Sequence, residues 1–147
     1  MSDAKSVILI DGHDKDRQYY AHRLSVSSPD YQIFEAANGQ SGLKLYKACD
    51  IDCVVLELHL PDMSGFDVLV QLVPVARRPE IPVVVLTRFN NQGLLEIAKM
   101  NGAFATLQKS TTAGDDLDRV LRQAMATITR DGKKRNDSAP FQSVLRP

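Results

Sequence analysis

Residues 53–70 read CVVLELHLPDMSGFDVLV, and this stretch decides the architecture. Cys53, Val54, Val55 and Leu56 form an apolar run with no polar alternation, the pattern of a strand buried on both faces. A loop containing Pro61 and Gly65 follows, and Phe66, Leu69, Val70 and Val73 then recur at helical spacing. Pro74 and Pro79 bound that helix. A buried strand, a short loop and an amphipathic helix make one strand–helix unit.

The same alternation occurs four more times. Residues 7–10 (VILI) precede a polar helical stretch, residues 14–27, with Tyr20, Ala21 and Leu24 on one face. Residues 31–37 precede a helix striped by Gly42, Leu45, Tyr46 and Cys49. Residues 82–86 precede Leu94, Ile97 and Ala98, after which Gly102 stands where a helix-terminating glycine belongs. Residues 103–107 precede a long helix with Leu117, Val120, Leu121, Ala124 and Ile128 in phase. Five such units with right-handed crossovers predict an α/β fold, a doubly wound five-stranded parallel sheet with helices on both faces. Its domain is expected over residues 5–130. Residues 131–147 carry two prolines and no periodicity, and read as a polar tail or linker whose basic cluster is a solvated face.

Composition narrows the function classes. Eighteen basic and eighteen acidic side chains cancel, so no overall field draws the chain to nucleic acid or membrane. No apolar run reaches the length of a membrane span, and MSDAKS lacks signal-peptide character, which points to the cytoplasm. Cys49 and Cys53 are too few for a thiolate metal site and fall on apolar positions, as buried thiols do.

Parallel sheets of this kind place their sites at the carboxyl ends of the strands. Asp11, Gly12, His13 and Asp14 follow the first strand; Glu57 and His59 follow the third; Thr87 ends the fourth and Lys109 the fifth. Two carboxylates, a hydroxyl and an ammonium would share one cleft there. Asp11 could instead cap a helix and Lys109 could be exposed, but four such residues at four strand ends favour a common site.

The stretches VILID, VVLELHLPDMSGFDVL, PVVVLTRF and GAFATLQKS resemble, in order and spacing, the four signature blocks of response-regulator receiver domains. The resemblance implies a flavodoxin-like sheet of order 2-1-3-4-5 and a role in two-component phosphorelay signalling. It implies a phosphoryl group passing from a sensor kinase histidine to an aspartate after the third strand, with magnesium held by acids after the first. A hydroxyl and a lysine then grip the phosphoryl oxygens, an electrostatic clamp. It further implies a partner, sensor kinase or downstream effector, on the face of the fourth helix, fifth strand and fifth helix, roughly residues 91–130.

Against that pattern Asp11, Thr87 and Lys109 match, while four positions depart. Glu57 stands at the phosphoacceptor position, Gly12 at that of the second acid, Thr106 at that of an aromatic switch residue, and Ser110 where proline usually follows lysine. The added methylene of Glu57 carries its carboxylate toward the phosphoryl seat and spoils in-line attack. Gly12 removes a hard oxygen ligand, so magnesium is expected to bind weakly at best. No cofactor or metal is expected; were a metal held, Asp11, Glu57 and the His59 backbone would be its ligands. His13 and His59 leave a zinc alternative open, though their spacing fits no known pattern. Without proline a cis bond costs about 2.5–4 kcal/mol, so Lys109–Ser110 is expected to be trans.

The leading reading is therefore a non-enzymatic pseudo-receiver in which a Glu57–Lys109 ion pair, supported by Thr87, either imitates the phosphorylated state or leaves the pocket inert. A phosphoacceptor using this unusual pocket is the alternative. A flavodoxin-like cofactor enzyme is the third reading, and the acidic loop GHDKDR, where a phosphate-cradling loop belongs, speaks against it.

Overall fold

The apolar runs demand cover on two sides, and the computed structural model, which describes residues 4–128, supplies it. In chain order the elements are β1 (Lys5–Ile10), α1 (Asp14–Ser27), β2 (Tyr31–Ala36), α2 (Gly39–Ala48) and β3 (Cys53–Leu56). They continue with α3 (Gly65–Leu72), β4 (Val83–Thr87), α4 (Gln92–Met100), β5 (Ala105–Gln108), a 3-10 turn at Lys109–Thr111 and α5 (Gly114–Thr127). The strands form one sheet of order β2-β1-β3-β4-β5, every neighbouring pair parallel. This is the doubly wound sheet that the sequence implied. Residues 131–147, the expected tail, lie outside the described residues.

Alternate side chains of the central strands face opposite layers. Val7, Leu9, Cys53, Val55, Val84 and Leu86 pack with Tyr20, Ala21 and Leu24 of α1 and with Leu117, Leu121 and Ala124 of α5. Ile8, Ile10, Val54, Leu56, Val83 and Val85 pack with Leu43 of α2, Val68, Leu69 and Leu72 of α3, and Ala98 of α4. The domain thus has two cores, one per face. Among the described residues, no helix is long and apolar enough to cross a membrane.

Two helical stripes depart from expectation. In α4 the buried side chains are Leu95 and Ala98, while Ile97 is 46% exposed and Met100 75% exposed. In α3, Val68, Leu69 and Leu72 are buried and Val70 is exposed. Both helices are short and carry apolar residues on most sides, so periodicity alone does not choose the inward face. Gly102 does end α4: its φ is +105°, and the N–H groups of Gly102 and Ala103 return to the carbonyls of Lys99 and Ala98. Cys53 is buried, its thiol pushed up to about 12 by desolvation, and Cys49 is half-buried beyond α2; both are free.

Register sets the functional rim. Ile10 pairs with Leu56, Leu56 with Val85, and Thr87 with Gln108. Asp11, Glu57 and Lys109, each the next residue after its strand, therefore emerge side by side with Thr87.

Candidate functional site: a carboxylate pocket closed on a lysine

The backbone holds Asp11 first. Its N–H donates to Ala36 O at 3.0 Å, and its Oδ1 accepts the N–H of His13 at 2.9 Å. His13 then caps α1, its Nδ1 accepting the N–H of Asp16 at 3.3 Å. This start to the helix brings the Asp16 carboxylate back over the pocket.

Glu57 is 4% exposed, and both its oxygens are occupied. Oε2 accepts the Thr87 hydroxyl at 2.5 Å and the His59 N–H at 3.0 Å. Oε1 accepts the Arg88 N–H at 3.3 Å and lies 3.1 Å from Lys109 Nζ. The expected Glu57–Lys109 pair with Thr87 in support is present. Thr87 Oγ1 also accepts the Phe89 N–H at 3.2 Å, so the β4–α4 loop is tied to Glu57 directly and through Thr87.

Lys109 Nζ donates to Asp11 Oδ2 at 2.6 Å and to Asp16 Oδ2 at 2.9 Å, in addition to its contact with Glu57. Burial alone would lower the lysine pKa, but the hydrogen bonds to Asp11 and Asp16 raise it overall. For Asp11 burial prevails over the lysine, and its carboxyl is raised above the usual value. For Asp16 desolvation is outweighed by hydrogen bonds from Arg88 and Lys109, which hold the carboxyl at about 2. Arg88 Nε reaches Asp16 Oδ2 at 2.9 Å, and its Nη2 lies 3.0 Å from His13 Nε2.

The structure thus brings together Asp11, Glu57, Thr87 and Lys109, with Gly12 at the rim. A Cβ at Gly12 would lie 2.8 Å from Pro61 Cδ and 3.2 Å from Ala37 O, so an acid there requires the loop to move. Thr106 does not join the pocket. On β5 it pairs with Val85 of β4, and it lines a separate open groove with Gln92, Leu95 and Val120. The aromatic ring near Thr87 is instead Phe89, half-buried on the core and edge-on to His59. No cis peptide bond occurs among the described residues, so Lys109–Ser110 is trans, as the loss of proline predicts. Asp16 and Arg88 were missed by sequence reasoning. The only signal for Asp16 was the acidic loop itself, which does not show that Asp14 faces solvent while Asp16 turns inward; Arg88 carried none.

Magnesium fits this donor set poorly. It requires near-octahedral oxygens at about 2.0–2.1 Å. Here Gly12 offers no side-chain oxygen, and the nearest oxygens of Asp11 and Glu57 already face an ammonium. Among the described residues, no three His, Cys, Asp or Glu side chains are grouped to hold a metal ion.

Residues 7–122 match the family model described as "Response regulator receiver domain". The transcriptional regulatory protein AfsQ1 of Streptomyces coelicolor is 30% identical over 140 residues, covering 95% of this chain and 58% of that protein. The nitrate/nitrite response regulator protein NarL of Escherichia coli K12 is 30% identical over 123 residues, covering 82% of this chain and 55% of the relative. The chain therefore matches little more than half the length of these curated relatives. Among solved structures, the signal receiver domain of a putative LuxO repressor protein from Vibrio parahaemolyticus superposes with a TM-score of 0.75 at 22% identity, covering 84% of this chain and 92% of that one.

Proposed function

The chain belongs to the response regulator receiver domain family, and from that premise we propose that it is a pseudo-receiver, a signalling module that acts by protein contact and without a phosphorylation cycle. One observation carries the reading: Glu57 is held by Thr87 and Lys109, the side chains that in the family grip a transferred phosphoryl group. Its carboxylate fills the place where that charge would arrive. A cavity of about 350 Å³ opens beside it between His13, His59, Arg88 and Phe89, so entry to the site is not the obstacle. The obstacle is chemical, because the acceptor oxygens are already engaged and one acid is missing.

Through the Arg88 N–H directly, and through Thr87, whose Oγ1 accepts the Phe89 N–H, Glu57 supports the β4–α4 loop as a standing substitute for phospho-aspartate. The partner, a sensor kinase or a downstream effector, then meets the face of α4, β5 and α5, where Ile97 and Met100 are exposed. Cytoplasmic placement accords with that role. Incubation with magnesium and acetyl phosphate should leave the intact mass unchanged; a stoichiometric phosphoryl adduct would favour a working phosphoacceptor instead. Hydrogen exchange separates imitation from inertness. Glu57→Ala should speed exchange at Arg88 and Phe89 and into α4 by at least ~10-fold, equivalent to a lost interaction of about 1.4 kcal/mol. Unchanged protection there would mean that Glu57 merely neutralises Lys109.

A further inference from the structure

We propose that the Lys109 ammonium is the resident cation of this pocket and that its seat among Asp11, Asp16 and Glu57 keeps divalent metal ions out. The inference deepens the pseudo-receiver reading and rests on it for the identity of the site.

Three carboxylates from three elements converge on one nitrogen, at 2.6 Å from Asp11, 2.9 Å from Asp16 and 3.1 Å from Glu57. An ammonium has three donors and no acceptor; two contacts here are hydrogen bonds, to Asp11 and Asp16, and Glu57 adds an ion-pair contact. These separations suit N–H···O contacts. The Lys109 side chain is 7% exposed, so water does not replace these partners.

Asp16 explains how the arrangement survives the missing acid. Gly12 provides no carboxylate, whereas Asp16, in the first turn of α1, provides one aimed at the lysine. Arg88 grips the same carboxylate from the opposite side. Three acids face two cations, leaving a formal charge of about −1 and little pull on a dication. A divalent ion entering here would share its oxygens with an ammonium and repel it at close range. In effect an acid from the loop has been exchanged for one on the helix, and the lysine that the family shares sits at the centre of the acids.

Thermal unfolding tests this on the intact chain, with calcium and magnesium chlorides as probes against chelator. Calcium is included because it accepts longer bonds and irregular geometry. Wild type should show the same midpoint in all three solutions. Lys109→Met, which frees the carboxylates, should gain at least ~3 °C with millimolar calcium. If that variant does not fold, Lys109→Gln, whose amide still donates to carboxylates, is read the same way. A comparable metal-dependent rise in wild type would overturn the proposal. So would a lysine variant that folds and ignores both ions, since the missing acid would then be the cause of exclusion. A phosphoryl adduct formed in chelator would defeat the pseudo-receiver reading while leaving the resident-cation assignment intact.

Discussion

Lys109→Ala should destabilise the domain by about 3–5 kcal/mol at neutral pH, measured as a shift in the urea midpoint at unchanged slope. The reason is what remains behind. Asp11 and Glu57 have side chains 10% and 5% exposed, and both would stay in the pocket without their cation. Burial already raises the Asp11 carboxyl while the lysine is present, so removing the lysine raises it further. A carboxyl raised in the folded state binds its proton more readily there than in the unfolded chain. The sign follows: the variant should regain stability as pH falls from neutral through the raised value, by protonating Asp11. A loss below about 1 kcal/mol would mean that the carboxylates find other solvation and that the ammonium is dispensable.

Asp118→Ala should cost about 2–4 kcal/mol, at a place outside the pocket and unrelated to its chemistry. Asp118 Oδ2 accepts the Ser28 hydroxyl at 2.6 Å and the Ser27 hydroxyl at 3.0 Å, and Oδ1 accepts the Tyr31 hydroxyl at 2.7 Å. Ser28 and Tyr31 are buried, so alanine would leave two hydroxyl protons without their acceptor, while Ser28 Oγ keeps its bond from Arg122. The same contacts set the balance of charge at the carboxyl. Burial alone would raise the Asp118 carboxyl, yet hydrogen bonds from Ser28, Tyr31 and Ser27 lower it. The Tyr31 hydroxyl is raised, by desolvation first and by its bond to Asp118 second. Urea unfolding of the variant checks the figure, and a loss under about 1 kcal/mol would show that water enters to satisfy the two hydroxyls.

The fold was legible because β1, β3 and β4 are almost wholly apolar, which only a sheet covered on both faces explains. Asp11, Glu57, Thr87 and Lys109 were legible for the same reason, since parallel strands deliver their ends to one rim. The inward faces of α3 and α4 were not. Val70 and Ile97 compete with equally apolar neighbours, and packing rather than period decides between them. Asp16 and Arg88 depend on where a side chain points after a capped helix start or a loop, and a linear pattern does not carry that information. Thr106, a switch position by family resemblance, lies on β5 in the groove between α4 and α5, apart from the pocket. The loss of an acid at Gly12 could be read from chemistry, whereas the tight approach of Pro61 could not.

Helix α1 is fastened near both ends. At its start Asp16 is fixed to Lys109 and Arg88, and at its finish Ser27, with Ser28 just beyond, is fixed to Asp118 of α5. A bar clamped twice resists sliding, so α1, α5 and the sheet face that they share form the stiff wall of the molecule. Displacement under load is then taken up on the other side, where α4 is held mainly through Leu95 and Ala98 and its outer row faces water.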